Sequence, residues 1–165
     1  VKNLIKMLVK IKYINKTILI LEPFIKIVEK FNLLKKDVCI SFDNRLNCYG
    51  NYLWNNKKQI HHIKISPCCC SNILKNDKKI ELDKMSKIYN YISTTLHELK
   101  HAEQREHMGD NFFNTSFNHA SKIKNSSLAE WYSRCEIEAR TYENNCIHSA
   151  VEMYLRGCSR SKNHI

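Results

Sequence analysis

Between Thr94 and Gly109 the chain reads "TTLHELKHAEQREHMG", in which His97, Glu98 and His101 form the pattern H-E-x-x-H. On a helix, side chains four residues apart project about 40° apart, so His97 and His101 can aim their imidazoles at one ion. Glu98 sits one step further round, which lets its carboxylate reach a water beside such an ion without ligating the ion. This is the equipment of zinc-dependent hydrolysis: Zn2+ acidifies a water, Glu98 takes its proton as the oxygen attacks a carbonyl, and Glu98 passes that proton to the leaving amine. Taken alone the pattern is short, and a histidine pair on a polar helix face is often merely solvated. The helix face strengthens it. At about 100° per residue, Asn90, Ser93, Thr94, His97, His101 and Gln104 share one polar side while Ile88, Ile92, Thr95, Leu99 and Ala102 lie opposite, so the histidines would look into a cleft.

A catalytic zinc takes a third protein ligand and keeps a fourth position open. His107 stands where the last histidine of H-E-x-x-H-x-x-G-x-x-H would stand. The glycine of that pattern is Gln104 here, and on an unbroken helix His107 projects about 80° away from His97 and more than two turns along. The later stretch "CEIEARTYE" offers Glu136 and Glu138. These lie about 200° apart on a helix, so only one can face the ion, and periodicity does not choose between them. Donors that could polarise a substrate carbonyl are Arg140, about 40° from Glu136 on the same helix, and Tyr142, with His119 and His148 further afield.

With "HELKHAEQ" followed downstream by "EIEARTYE", the region from Asn90 to Glu143 resembles the gluzincin metallopeptidases, in particular small intracellular H-E-x-x-H proteins of phages, viruses and mobile elements. In those proteins the later glutamate precedes a small residue by three positions, as in E-x-x-A-D/N, and binds the zinc. Carried onto this chain, that residue is Glu136, with Ala139 as the small residue. Where the family often has Asp or Asn after the alanine to support a ligand histidine, this chain has Arg140, so the partner of that histidine is left unassigned. The resemblance implies a zinc metallopeptidase with ligands His97, His101 and Glu136, base Glu98 and a peptide or protein substrate. A basic binding module of the same fold, engaging nucleic acid or a protein without proteolysis, is the alternative.

The elements that must position these residues follow from pattern. Ile25, Ile27, Val28, Phe31 and Leu34 after Pro23 predict an amphipathic helix within 16–34. The segments 37–43, 46–54 and 59–66 are rich in β-branched and aromatic residues and predict hairpin-linked strands of a small antiparallel sheet. If the third is the sheet edge over the cleft, a peptide could add to it, leaving His61 and His62 as incidental rim residues. Asp83 is a plausible N-cap for a helix over 84–107, which Gly109 would end. The polar stretch 110–127 reads as a loop. Leu128, Trp131, Cys135, Ala139, Tyr142, Cys146 and Met153 then recur at helical spacing on the helix that carries Glu136. The expected architecture is α+β, a minimal zincin-like domain over 1–165 with 1–15 and 157–165 flexible.

Formal charge is +11, from 27 Lys and Arg against 16 Asp and Glu. Such an excess admits nucleic acid or an anionic surface as partner. The lysines are scattered, however, with no dense basic block or aromatic-basic alternation, so nucleic acid is not the expected main partner. Lysines break every apolar run near the start, which predicts no secretory signal and a reducing cytoplasmic setting in which the eight cysteines stay thiols. The triplet Cys68, Cys69 and Cys70 lacks the C-x-x-C spacing of a structural zinc site and reads as incidental. No apolar run reaches the roughly 18 residues of a membrane span.

Overall fold

Helix α2, Lys84–Met108, is the element around which the rest is arranged. No Gly or Pro interrupts it, and Ile88, Tyr91, Ile92, Leu96, Leu99 and Ala102, buried at three- and four-residue intervals, make one side of it a core face. It ends at Gly109, whose φ of 82° is left-handed and whose N–H bonds the Arg105 carbonyl at 3.0 Å. The computed structural model describes residues 9–12, 21–43, 45–46, 48–66, 84–109 and 126–162. The expected N-cap Asp83, the cysteine triplet, the loop to 125 with His119, and residues 1–8 lie outside the described residues.

The chain is α+β. Strand β1 (Val9–Lys12) precedes helix α1 (Leu21–Phe31), followed by β2 (Val38–Phe42), β3 (Gly50–Asn55), β4 (Ile60–Ile65), α2, and α3 (Ser126–Lys162). The strands form one sheet in the order β1-β2-β4-β3. Alternation along β4 turns His61, Ile63 and Ile65 inward, and Val38 and Ile40 of β2 join them against the helices. Phe24, Ile27 and Val28 of α1 and Ile147, Ala150 and Tyr154 of α3 complete a single core.

Three expectations need correction. The sheet is mixed rather than antiparallel: β2 runs parallel to both β1 and β4, and only β3 and β4 form an antiparallel hairpin. The connection 43–49 has to cross only about 9.5 Å, two inter-strand spacings, to leave a slot that β4 fills on its return. Turn-rich punctuation looks the same whether the next strand lands beside the last or one place further. Secondly, part of the supposedly flexible start is strand, since Val9–Lys12 pairs with Val38–Ser41 through the α1 crossover that a parallel pair requires. Thirdly, the tail expected to fray is helical through Lys162. It is held because α1 docks on it: Tyr154 is buried, and a Cβ added at Gly157 would come within 2.9 Å of Pro23.

Candidate metal centre

Helix α3 runs antiparallel to α2, as Cys135 faces Gln104 while Glu143 faces Ser93. This brings Glu136 opposite the two histidines. Its Oε1 lies 3.3 Å from His101 Nε2 and its Oε2 3.4 Å from His97 Nε2, while the two Nε2 atoms are 3.0 Å apart. His97, His101 and Glu136 are thus brought together as one group able to hold a metal ion.

The other ring nitrogens are engaged. His97 Nδ1 lies 3.2 Å from Glu143 Oε2, and the other oxygen of Glu143 accepts a hydrogen bond from Ser93 Oγ. His101 Nδ1 donates to Gln104 Oε1 at 2.8 Å, and Gln104 Nε2 donates to the Cys135 carbonyl at 2.9 Å and to Glu138 Oε2 at 3.0 Å. With both Nδ1 atoms so engaged, both Nε2 atoms converge with the Glu136 carboxylate, an arrangement that a bound cation or the proton of an imidazolium would satisfy. The 3.3 and 3.4 Å separations match the about 3.3–3.4 Å between tetrahedral donor atoms on zinc with bonds of about 2.0–2.1 Å, and the Nε2–Nε2 separation, 3.0 Å, is shorter. The same demand for positive charge appears in the imidazole. Burial pushes His97 down, yet the carboxylates of Glu136 and Glu143 outweigh it and hold the ring up at about 9. Glu136 is held below its ordinary range by His101 and His97.

Glu98 is 7% exposed and borders the same cleft. Burial raises its pKa against the pull of His101 and His97. Strand β3 closes over it. A Cβ at Gly50 would lie 2.5 Å from Thr94 Cγ2 and 2.7 Å from Glu98 Oε1, so the absence of a side chain there lets the strand come down onto the helix. The cleft, about 890 Å3, runs between β3 on one side and Tyr132, Glu136, Arg140 and Glu143 of α3 on the other.

The remaining sequence candidates fall elsewhere. Glu138 accepts from Gln104, the residue that bonds His101, and is not in the group that could hold the ion. His107 is exposed at the last turn of an unbroken α2. Arg140 borders the cleft, whereas the Tyr142 hydroxyl donates to the Phe31 carbonyl and ties α3 to α1. His148 is exposed further along α3. The strand beside the cleft is β3, not the third of the expected strands, because β4 is interior to the sheet. His61 is therefore no rim residue: it is fully buried, with Nδ1 against the Tyr52 hydroxyl at 2.9 Å and Nε2 against Glu106 at 2.8 Å. His62, on the opposite face, bonds Ser41 at 2.9 Å.

Four site residues escaped sequence reasoning in their roles: Glu143, Gln104, Gly50 and Tyr132. Tyr132, one turn before Glu136, hydrogen-bonds that carboxylate and borders the cleft, and burial raises its phenol pKa so that it keeps its proton. Helical spacing from Glu136 picks out both Tyr132 and Glu143, once Glu136 is known to be the inward residue.

Compared with family models, curated proteins and solved structures, the chain matches none significantly. No helix among the described residues is long and apolar enough to cross a membrane.

Proposed function

We propose that the protein is a zinc-dependent metallopeptidase of the gluzincin kind. The observation that carries this is the convergence of His97 Nε2, His101 Nε2 and Glu136 in a cleft that also holds the buried Glu98. A structural zinc is closed by four protein ligands, whereas this group offers two nitrogens and one carboxylate and faces a cleft.

When bound, a zinc ion supplies Lewis-acid chemistry, polarising a carbonyl and making water acidic. The chain supplies the rest. Glu98 takes the proton of the attacking water and returns it to the leaving amine, for which its raised pKa fits it. Glu143 and Gln104 hold the histidine rings in the tautomer that presents Nε2. Tyr132, a neutral hydroxyl bonded to Glu136 on the cleft wall, is placed to help hold that carboxylate. Strand β3, with one edge open among the described residues, offers its backbone to an extended peptide. The thiols of Cys39, Cys135, Cys146 and Cys158 fit a reducing, cytoplasmic setting.

The test is hydrolysis of fluorescently labelled casein. Zinc-loaded protein is expected to cleave it, a chelator to stop it, added zinc to restore it, and Glu98→Gln to stay inactive with zinc bound. Cleavage that survives full removal of metal contradicts the proposal.

A further inference from the structure

Arg140 is the one guanidinium or ammonium group among the described residues that border the cleft. It is exposed and takes part in none of the hydrogen bonds or ion pairs among the described residues, while its charge acts on Glu143 and Tyr132. The other charged side chains of the wall are committed: Glu136 to the histidines, Glu143 to His97 and Ser93, and Glu98 to burial beneath β3. With no hydrogen bond to a described residue holding it, the exposed guanidinium can take an anion from the ligand, and its planar fork matches a carboxylate.

The topology says which part of a peptide would meet it. Strand β3 runs in the same direction as α2, since Gly50 lies against Thr94 and Glu98 while Trp54 lies against Arg105. Helix α3 runs the other way, so stepping from Glu136 to Arg140 and Glu143 moves toward Ser93 and the beginning of β3. The metal group therefore sits mid-cleft, with Arg140 and Tyr49 toward one end and Trp54 at the other. An extended peptide added antiparallel to β3, the more stable pairing, enters with its N-terminal part at Trp54 and leaves with its C-terminal part at Arg140.

We infer that Arg140 selects substrates carrying a carboxylate on the C-terminal side of the cleaved bond. This rests on the metallopeptidase proposal and adds the substrate class to it. The carboxylate has two sources, an Asp or Glu side chain or the free C-terminus of a short peptide, and Arg140 serves either by the same paired hydrogen bonds.

The test uses the zinc-loaded chain and a mixture of synthetic dodecapeptides that differ in placing Asp, Glu, Ala or Lys at each position, each supplied as free acid and as C-terminal amide. Mass spectrometry of the products ranks every cut bond by kcat/KM. Bonds followed by Asp or Glu, or lying near a free C-terminus, are expected to be cut about ten-fold faster than their Ala or amide counterparts, the low end for a charge-assisted hydrogen bond. Loss in the amide series identifies the C-terminus, and loss in the Ala series the side chain. Arg140→Ala is expected to flatten the preference, and Arg140→Glu to turn it toward Lys, both with zinc content kept at the wild-type level. Cleavage by the wild type without acidic preference, or a preference untouched in Arg140→Ala, overturns the assignment while leaving the metallopeptidase standing. No zinc-dependent cleavage of any peptide or of casein overturns the metallopeptidase, and the assignment with it.

Discussion

Glu143 Oε2 lies 3.2 Å from the Nδ1 of His97, so the helix that presents Glu136 also orients one of the histidines that Glu136 faces. The two glutamates are two turns apart on one face of α3, and a rotation of that helix would displace both together. Replacing Glu143 therefore differs from replacing a surface acid. Glu143→Ala is expected to fold, to leave His97 without its orienting carboxylate, and to weaken zinc about 10- to 100-fold. Competition with a metal-sensitive dye checks this, and wild-type affinity in the variant would remove Glu143 from the site.

Glu98→Gln separates chemistry from binding. The amide keeps the shape but accepts no proton, so kcat should fall by about 10² to 10⁴ while zinc content is kept. Because burial already disfavours the charged carboxyl, the metal-free variant should also be more stable, by about 0.5–2 kcal/mol. Calorimetry of the metal-free proteins measures this, and a lower melting midpoint in the variant counts against a carboxyl whose charged form burial disfavours.

Gly50→Ala tests the approach of β3 to α2. The new methyl would sit 2.5 Å from Thr94 Cγ2 and 2.7 Å from Glu98 Oε1, so strand or carboxyl must shift. A cost of about 1–3 kcal/mol in stability is expected, with a larger loss of activity than of zinc. Denaturant titration alongside a casein assay gives both numbers, and an active, equally stable variant would show that strand and helix are not in such contact.

His61 predicts a pH dependence away from the metal group. Burial lowers its pKa below 6.5, although Glu106 pulls the other way. Its neutral form is favoured in the fold, so its contribution to stability is intact above about pH 6.5 and is lost as pH falls from there toward the lower folded value. Glu106, whose pKa is held below 4.5 by the Lys35 and Lys36 N–H groups and His61 despite burial, adds a further loss below that value. Melting midpoints should fall from about pH 6.5 downward, and His61→Gln should flatten the upper part of that slope. An unchanged slope in the variant would place the titration elsewhere.

Much of this architecture was legible in the chain because helices announce themselves locally. The apolar spacing of Ile88, Ile92 and Leu99 and the terminating Gly109 gave α2 nearly to the residue, and with it the polar face of His97 and His101. Strand pairing is not local. Val9–Lys12 is a short run broken by lysines, and its partner lies beyond a helix, so nothing near it marks it as a strand. The supporting residues were hidden for a related reason: Glu143 and Tyr132 acquire their roles only once α3 is known to run antiparallel to α2 with Glu136 turned inward. Gln104, read as a departure from a glycine-bearing motif, is the oxygen that His101 requires.

The most direct measurement is zinc content of the purified protein by mass spectrometry after reconstitution and dialysis, for wild type, Glu136→Ala, Glu138→Ala and His107→Ala. One equivalent is expected in the wild type, kept in Glu138→Ala and His107→Ala and lost in Glu136→Ala. No zinc in the wild type, or loss in His107→Ala with retention in Glu136→Ala, would contradict a His97–His101–Glu136 centre.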